Sequence, residues 1–224
     1  ALGAHQGIEL RIDGEDSPNV YTGTDFLHRV NCGEEVEIGD KVLVIGGGDT
    51  AIDAARVSRR LGAEVAIVYR RTRKEMPAID EEIEGADQEG VKIDYLAAPM
   101  DIYTENGKAV GMKCQRMELG EPDASGRPRP VPIADSGYEI DIDSLIVGIG
   151  QGANPLLTRA TNGLSTDSRG RIMVDDTLMT SISGVFAGGD IVTGAATVIL
   201  AMGAGKKAAV TIDAWLRGEA VDIA

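Results

Sequence analysis

The stretch from Val42 to Arg71 opens with Val42-Leu43-Val44-Ile45 and continues as Gly46-Gly47-Gly48-Asp49-Thr50-Ala51. A helical run then ends at Leu61-Gly62-Ala63, and Glu64-Val65-Ala66-Ile67-Val68-Tyr69 leads into Arg70-Arg71. A strand, a glycine turn, a helix and a second strand within about 30 residues have the length of a dinucleotide-binding βαβ unit. The first run is apolar at every position, as a parallel strand buried on both faces requires. Gly46 can take the backbone angles of a tight turn, and Gly48 carries no side chain to block a pyrophosphate. Ala51 stands where a small residue lets the helix lie close on the sheet. The N–H groups that open the helix, around Asp49 and Thr50, have no partner inside it and can face phosphate. Two roles stay open for Asp49 and Thr50: shaping the pyrophosphate turn or capping the helix. The whole pattern also fits a tight strand-to-helix turn in another kind of α/β protein.

The end of the second strand bears on which nucleotide is preferred. NAD-binding units usually carry an acid there, about 20 residues past the glycines, to hold the ribose 2′-hydroxyl. Here the place holds Tyr69-Arg70-Arg71, with Arg73 and Lys74 close behind. Guanidinium groups bond a 2′-phosphate with charge assistance, whereas an acid repels it. The residues therefore read as NADP(H) over NAD(H), with Arg70 and Arg71 on the 2′-phosphate. Arg73 and Lys74 also fit a solvated loop.

Bulk composition narrows the field. The 224 residues allow one or two domains, and a net charge of −14 argues against nucleic-acid binding. Against that acidity, the basic cluster after Tyr69 is local. The 2 cysteines, Cys32 and Cys114, form no CxxC, so neither a redox dithiol nor an iron–sulfur cluster is readable from this chain. Each reads as a reduced cytosolic thiol. His5 and His28 have no ligand spacing, so no metal site is expected. No apolar run is long enough for a bilayer and no signal peptide is evident, so a cytoplasmic protein off the membrane is expected.

Outside the central stretch, Ala1-Leu2-Gly3-Ala4 reads as the start of a piece of something longer. Ile8 to Ile12 reads as a short strand, and Thr24 as the cap of a helix through Val30. Glu34 to Asp40 is polar and is the expected crossing between domains. Met76-Pro77-Ala78 is expected to start a helix that Gly90 stops. Val91 to Leu96 alternates like a strand. Asp101–Tyr103, Ala109–Glu118 and Tyr138–Ile142 read as antiparallel strands around an Asn106-Gly107 hairpin turn, with Glu121 to Pro132 a loop. Ser144 to Gly150 is a buried strand ending in glycine, and Gln151 to Pro155 a turn and second crossing. Ile172–Val174 and Val185–Asp190 read as further strands. Thr197 to Leu216 reads as a helix that Gly218 ends.

A second constellation is Gly188-Gly189-Asp190 followed by Gly194-Ala195-Ala196-Thr197-Val198. An acid at a strand end can accept bonds from a ribityl hydroxyl. A helix N-terminus at Ala196, Thr197 and Val198 offers N–H groups to the pyrimidine edge of a flavin. A strand-to-helix junction capped by Asp190 has the same appearance.

Together these residues resemble the two-dinucleotide flavoprotein reductases of the pyridine nucleotide-disulphide oxidoreductase superfamily. Among these, the chain is similar to the small (beta) subunit of NADPH-dependent glutamate synthase. Ala1-Leu2-Gly3-Ala4 resembles that family's ATGA motif with Leu2 in place of threonine. Gly46 to Asp53 and Tyr69-Arg70-Arg71 resemble its NADPH motifs, and Gly188-Gly189-Asp190 with Thr197-Val198 its last flavin motif. Cys114 to Asp123 and Ile149-Gly150-Gln151 match further runs of these subunits.

The resemblance implies a flavoprotein oxidoreductase using NADP(H) and FAD, with an iron–sulfur subunit or domain as electron acceptor. It also implies an α/β fold. A Rossmann-like three-layer NADP-binding domain (34–149), with a parallel sheet plus antiparallel strands, is expected to be inserted in a partial FAD-type domain (1–33 and 150–224). The first FAD-binding βαβ unit of the family has no counterpart here. An apolar edge is therefore expected in the flanking part, with association into a homo-oligomer or local instability as its consequence. Absence of that unit leaves a second reading open, an NADP(H)-binding module without turnover. The missing CxxC argues against a disulfide reductase.

Overall fold

The structure, a computed structural model, describes residues 2–123 and 126–219; Ala1 of the ATGA-like motif lies outside them. It divides into two compact units, Gly7–Gly150 and a smaller one from Ala1–Gln6 with Gln151–Ala224. The two-residue strands β1 (Gln6–Gly7) and β10 (Gln151–Gly152) mark the two crossings. Residues 7–33, expected with the flanking part, lie instead in the larger unit. The reason is strand pairing: β2 (Val20–Thr22) runs parallel to β9 (Ser144–Val147).

The larger unit is organised by β3 (Lys41–Ile45), whose residues alternate between two cores. Val42 and Val44 enter one apolar cluster, and Leu43 and Ile45 enter the other. Beside β3 lies β4 (Glu64–Tyr69), joined to it by helix α2 (Asp49–Arg60). With β5 (Lys92–Tyr95), the parallel sheet has the order β2-β9-β3-β4-β5. One face carries α1 (Gly23–Asn31), α2 and α3 (Asp80–Gln88), through Phe26, Ile52, Ala55 and Ile83. Across the other face lies an antiparallel sheet of β6 (Ala97–Glu105), β7 (Lys108–Pro122) and β8 (Pro128–Asp141), which contributes Ile102, Met112 and Cys114 to the second cluster. The three expected layers are therefore helices, parallel sheet and antiparallel sheet. Each fully buried aliphatic side chain contributes about 1.5–3 kcal/mol to holding them.

Several local expectations are corrected. Ile8–Ile12 is not a strand: the Leu10 and Arg11 N–H groups each donate to the Glu15 carboxylate at 2.6 Å, and Arg11 has φ +64°. Helix α1 is capped by Thr22, not Thr24, and its hydroxyl accepts from the Asp25 N–H. Helix α3 starts at Asp80 rather than Pro77, because Met76–Ile79 is held extended by bonds to the glycine turn. Leu61 lies exposed just past the end of α2. The expected loop from Glu121 to Pro132 is largely strand, with Leu119 opposite Pro130 and Pro122 opposite Pro128; Ala124 and Ser125 lie outside the described residues. Pro128 and Pro130 are tolerated because β8 is an edge strand.

The smaller unit is less regular. It holds α4 (Leu156–Ala160), α5 (Asp190–Thr193) and α6 (Val198–Arg217). Ile172–Val174 and Val185–Asp190, expected as strands, make only isolated bridges: Thr166 with Ile172, Val174 with Thr180 and Met179 with Phe186. Phe186 instead meets Trp215 of α6 edge-on, with ring centroids 6.2 Å apart. Gly218 ends α6 in the left-handed region (φ +70°), as expected.

Candidate functional site

Ligands of open parallel sheets sit outside the carboxyl ends of the strands, where the strand order reverses. Here that point lies between β9 and β3, and the chain leaves both strands through glycine. The Gly46 N–H donates to the Val68 carbonyl (3.1 Å), and the Gly148 N–H to the Ile45 carbonyl (2.7 Å). Gly46 has φ +142°, and a Cβ there would collide with the Gly148 carbonyl. At Gly148 a Cβ would stand 2.9 Å from the backbone of Ala51, so the absence of a side chain at Gly148 is what allows the close approach.

The next two glycines differ. A Cβ on Gly47 would lie 2.5 Å from the Tyr69 ring, so Gly47 serves packing. Gly48 is the N-cap of α2 and lacks a side-chain cap bond; a Cβ there would meet nothing nearer than Pro77, at 3.7 Å. The Gly48 carbonyl takes the first helical bonds, from the Ala51 N–H (2.9 Å) and the Ile52 N–H (3.2 Å).

Asp49 is the first residue of α2, and its carboxylate is engaged within the protein. Its Oδ1 accepts the Ile79 N–H at 3.0 Å, while the Gly47 carbonyl accepts the Ala78 N–H at 3.2 Å, so Met76–Ile79 is tied to the turn. The Thr50 methyl faces Gly23 of α1, with 2.9 Å to a Cβ built there.

These groups line a cleft of about 560 Å³ whose walls all belong to the larger unit. Gly46, Gly47, Gly48, Asp49 and Thr50 form one part of the wall; Tyr69, Arg70, Arg71, Pro77, Arg127, Gly148 and Ile149 are also on it. That volume is in the range of cofactor and small-ligand sites, about 300–1,000 Å³.

The two arginines expected on a 2′-phosphate are in different situations. Arg70 is exposed and makes no hydrogen bond or ion pair with the described residues. Arg71 is 3% exposed and engaged on two sides: its Nε donates to the Pro128 carbonyl (2.8 Å) and its terminal nitrogen to Asp123 Oδ2 (2.7 Å). Arg71 is thus tied to the hairpin between β7 and β8, whereas Arg70 is not. Arg127 also lines the cleft, and nothing local singles it out in a segment, Glu121 to Pro132, that reads as a loop. Gly47 and Gly148 were missed as packing glycines, although both sit where strands end.

In the smaller unit, Gly189 has φ +76° and precedes Asp190, the first residue of α5. A Cβ on Gly189 would lie 3.4 Å from Ala201 Cβ, and one on Gly188 3.0 Å from Ala204 Cβ, so this segment rests on α6 through small residues. The Asp190 carboxylate makes no hydrogen bond or ion pair with the described residues. Thr197 caps α6, its hydroxyl accepting the Leu200 N–H at 3.4 Å. Ala196 is exposed and Val198 is 75% exposed. The expected flavin residues therefore form an open edge rather than an enclosed pocket.

Cys114, in the family-like run, is fully buried, and desolvation pushes its thiol up to about 12, so it is no nucleophile at neutral pH. Beside it Asp94 accepts from both Arg116 and Tyr138, and the Arg116 guanidinium lies 4.2 Å from the Tyr138 ring centre. This network braces β5 against the antiparallel sheet.

The fold is of the βαβ type that dinucleotide-binding domains use. The pyridine nucleotide-disulphide oxidoreductase family matches residues 1–205, and the chain belongs to that family. Over 222 residues it is 43% identical to the NADP(+)-dependent formate dehydrogenase subunit beta of Moorella thermoacetica, covering 97% of this chain and 31% of that one. It is 36% identical to the glutamate synthase [NADPH] small chain of Escherichia coli K12, covering 96% of this chain and 49% of that one. The chain thus spans about a third to a half of the length of these relatives. Among solved structures, FprA from Mycobacterium tuberculosis in complex with NADPH aligns with a TM-score of 0.76 at 19% identity, covering 100% of this chain and 65% of that one; this likeness speaks to the fold. No helix among the described residues is long and apolar enough to cross a membrane.

Proposed function

We propose that the unit Gly7–Gly150 binds NADP(H) and that the segments before and after it carry part of a FAD-type domain, in a protein acting as an NADPH-dependent flavoprotein reductase. The observation that carries the proposal is the exposed, unpaired Arg70 on the same cleft wall as the open turn at Gly48. Gly46 and Ala51 set the turn, the first N–H groups of α2 face the pyrophosphate, and Arg70 meets the 2′-phosphate. Asp49 acts at one remove, holding Met76–Ile79 along the cleft. Asp190, Gly189 and the α6 start at Ala196, Thr197 and Val198 would hold the flavin. When bound, NADPH and FAD would supply the hydride and electron-transfer chemistry, with an iron–sulfur partner as the acceptor. The chain's own contribution is placement and electrostatics. The relatives' names, an NADP(+)-dependent formate dehydrogenase subunit and an NADPH glutamate synthase chain, support this reading.

A second reading is a nucleotide-binding module that does not turn over in this form. The open edge at Asp190 and Val198 favours it. Titration of the purified chain with NADPH and NADH, together with its visible spectrum, decides between them. Tighter NADPH binding with stoichiometric flavin absorbance supports the reductase; tighter NADPH binding by a colourless protein leaves the module. Equal affinity for the two nucleotides refutes both.

A further inference from the structure

The hairpin between β7 and β8 reaches the cleft, and its conformation is held from inside the fold. Its tip closes through the Gly126 N–H to the Asp123 carbonyl and the Asp123 N–H to the Arg127 carbonyl, both 2.8 Å. Arg71, at the end of β4, grips both sides of it, bonding Asp123 on one strand and the Pro128 carbonyl on the other. Burying a guanidinium is costly unless its donors are satisfied, so this clamp locks the hairpin in one place.

What the clamp positions is Arg127. Its neighbours Asp123 and Pro128 are the two residues that Arg71 grips, and Arg127 lines the same cleft as Gly48 and Arg70. It also lines an adjoining groove of about 520 Å³ with Lys74, Pro77 and Pro122. The positive charges of Arg71, Arg127 and Arg70 all act on the Tyr69 hydroxyl, so the three converge on the end of β4. Arg70 and Arg127 both line the cleft, while the buried Arg71 is paired with Asp123. In a chain of net charge −14 this is a local concentration of positive charge. A phosphomonoester carries about −1.5 to −2 at neutral pH, which one arginine does not balance and two do.

We propose that Arg127 is a second cationic arm for the 2′-phosphate of NADP(H), and that Arg71 is a positioning residue that holds this arm rather than a phosphate ligand. The proposal rests on the NADP(H) reading of the cleft. It adds that nucleotide discrimination is shared between a strand end and a hairpin from the antiparallel sheet.

The test uses the full chain with two probes that differ only in the 2′-phosphate, adenosine 2′,5′-bisphosphate and adenosine 5′-monophosphate, measured by equilibrium binding. Arg127→Gln is expected to weaken the bisphosphate at least about tenfold and to leave the monophosphate unchanged, with Arg127→Lys restoring part of the loss. Arg71→Gln is expected to cost a similar factor alone and nothing further on top of Arg127→Gln. Asp123→Asn opens the same clamp from its more exposed side should Arg71→Gln not fold. Loss of discrimination in Arg70→Gln but not in Arg127→Gln overturns the arm and leaves the NADP(H) reading standing. Additive losses from Arg71→Gln and Arg127→Gln overturn the positioning role. Equal binding of the two probes by the unaltered protein overturns the NADP(H) reading and the arm with it.

Discussion

Two apolar stretches of this chain meet opposite fates. In β3, Val42 to Ile45 are each at most 3% exposed, because helices cover one side and an antiparallel sheet the other. In α6, a helix of 20 residues, only Thr211 is buried, while Val198, Ile199, Leu200 and Met202 are 58–79% exposed. Both runs are hydrophobic. The difference is that the larger unit contains all three layers its strands need, whereas the described residues of the smaller unit leave much of α6 uncovered. Apolar sequence demands burial, but only topology says whether this chain supplies the cover.

The largest expected effect tests that contrast directly. Ile67→Ala, at a fully buried position, is expected to destabilise the larger unit by about 2–5 kcal/mol in denaturant unfolding. Leu200→Ala in α6 is expected to stay within about 0.5 kcal/mol, as exposed sites do. Similar losses at the two sites would mean that α6 is covered in solution.

Next comes the glycine turn. Gly46→Ala forces a side chain against the Gly148 carbonyl at φ +142° and is expected to cost about 1–3 kcal/mol of stability. Gly48→Ala has room for its methyl in the folded chain and is expected to leave the melting temperature nearly unchanged while weakening NADPH. Equal stability losses at the two positions would erase the distinction between a packing glycine and a ligand-facing one.

Arg70→Gln is expected to weaken NADPH about tenfold and NADH hardly at all, measured by titration. Sedimentation of the same samples addresses the other region. Exposed apolar side chains clustered in the first turns of α6 make an association surface, so Ile199→Lys is expected to reduce concentration-dependent self-association without changing NADPH affinity. Unchanged sedimentation after that substitution would remove α6 as the contact.

The smallest effect is a pH dependence confined to the larger unit. The Arg56 and Arg60 guanidiniums hold the Glu89 carboxyl at about 2, down from 4.5, and so tie α2 to the end of α3. A depressed carboxylate contributes stability above its unfolded value of 4.5, and the contribution is lost as pH falls towards 2. Acid titration of the unfolding midpoint is expected to show a shallow decline in that window, shallower still in Glu89→Gln because solvent screens the pair. A steeper decline in Glu89→Gln would contradict the assignment.

Local pattern was enough for the elements with a strong period or a special residue. The strands at Val42 and Glu64, the helix between them, the Asn106-Gly107 turn and the Gly218 stop are visible because periodicity, glycine and turn chemistry act within a few residues. Other elements depend on distant partners. Ile8–Ile12 has strand-like residues, but Glu15 takes the Leu10 and Arg11 N–H groups; Pro128 and Pro130 look like loop residues, but the edge position of β8 lets them stay in the ladder. The site divided in the same way. Gly46 and Ala51 were legible because close backbone approach needs small residues at fixed spacing.

The sequence by itself determined a βαβ nucleotide unit, a basic strand end in an acidic chain, and an apolar C-terminal helix. Tertiary structure decided which basic side chain stays available and which is used for packing. Arg70 and Arg71 are adjacent in the bend that follows β4, yet Arg70 faces solvent while Arg71 is buried and bonded to the hairpin between β7 and β8. The domain boundary was likewise decided in three dimensions, because Val20–Thr22 pairs with a strand more than a hundred residues away. Long-range pairing of this kind leaves no local signal, since the partner that satisfies each backbone group is set by the fold and not by the neighbours in sequence.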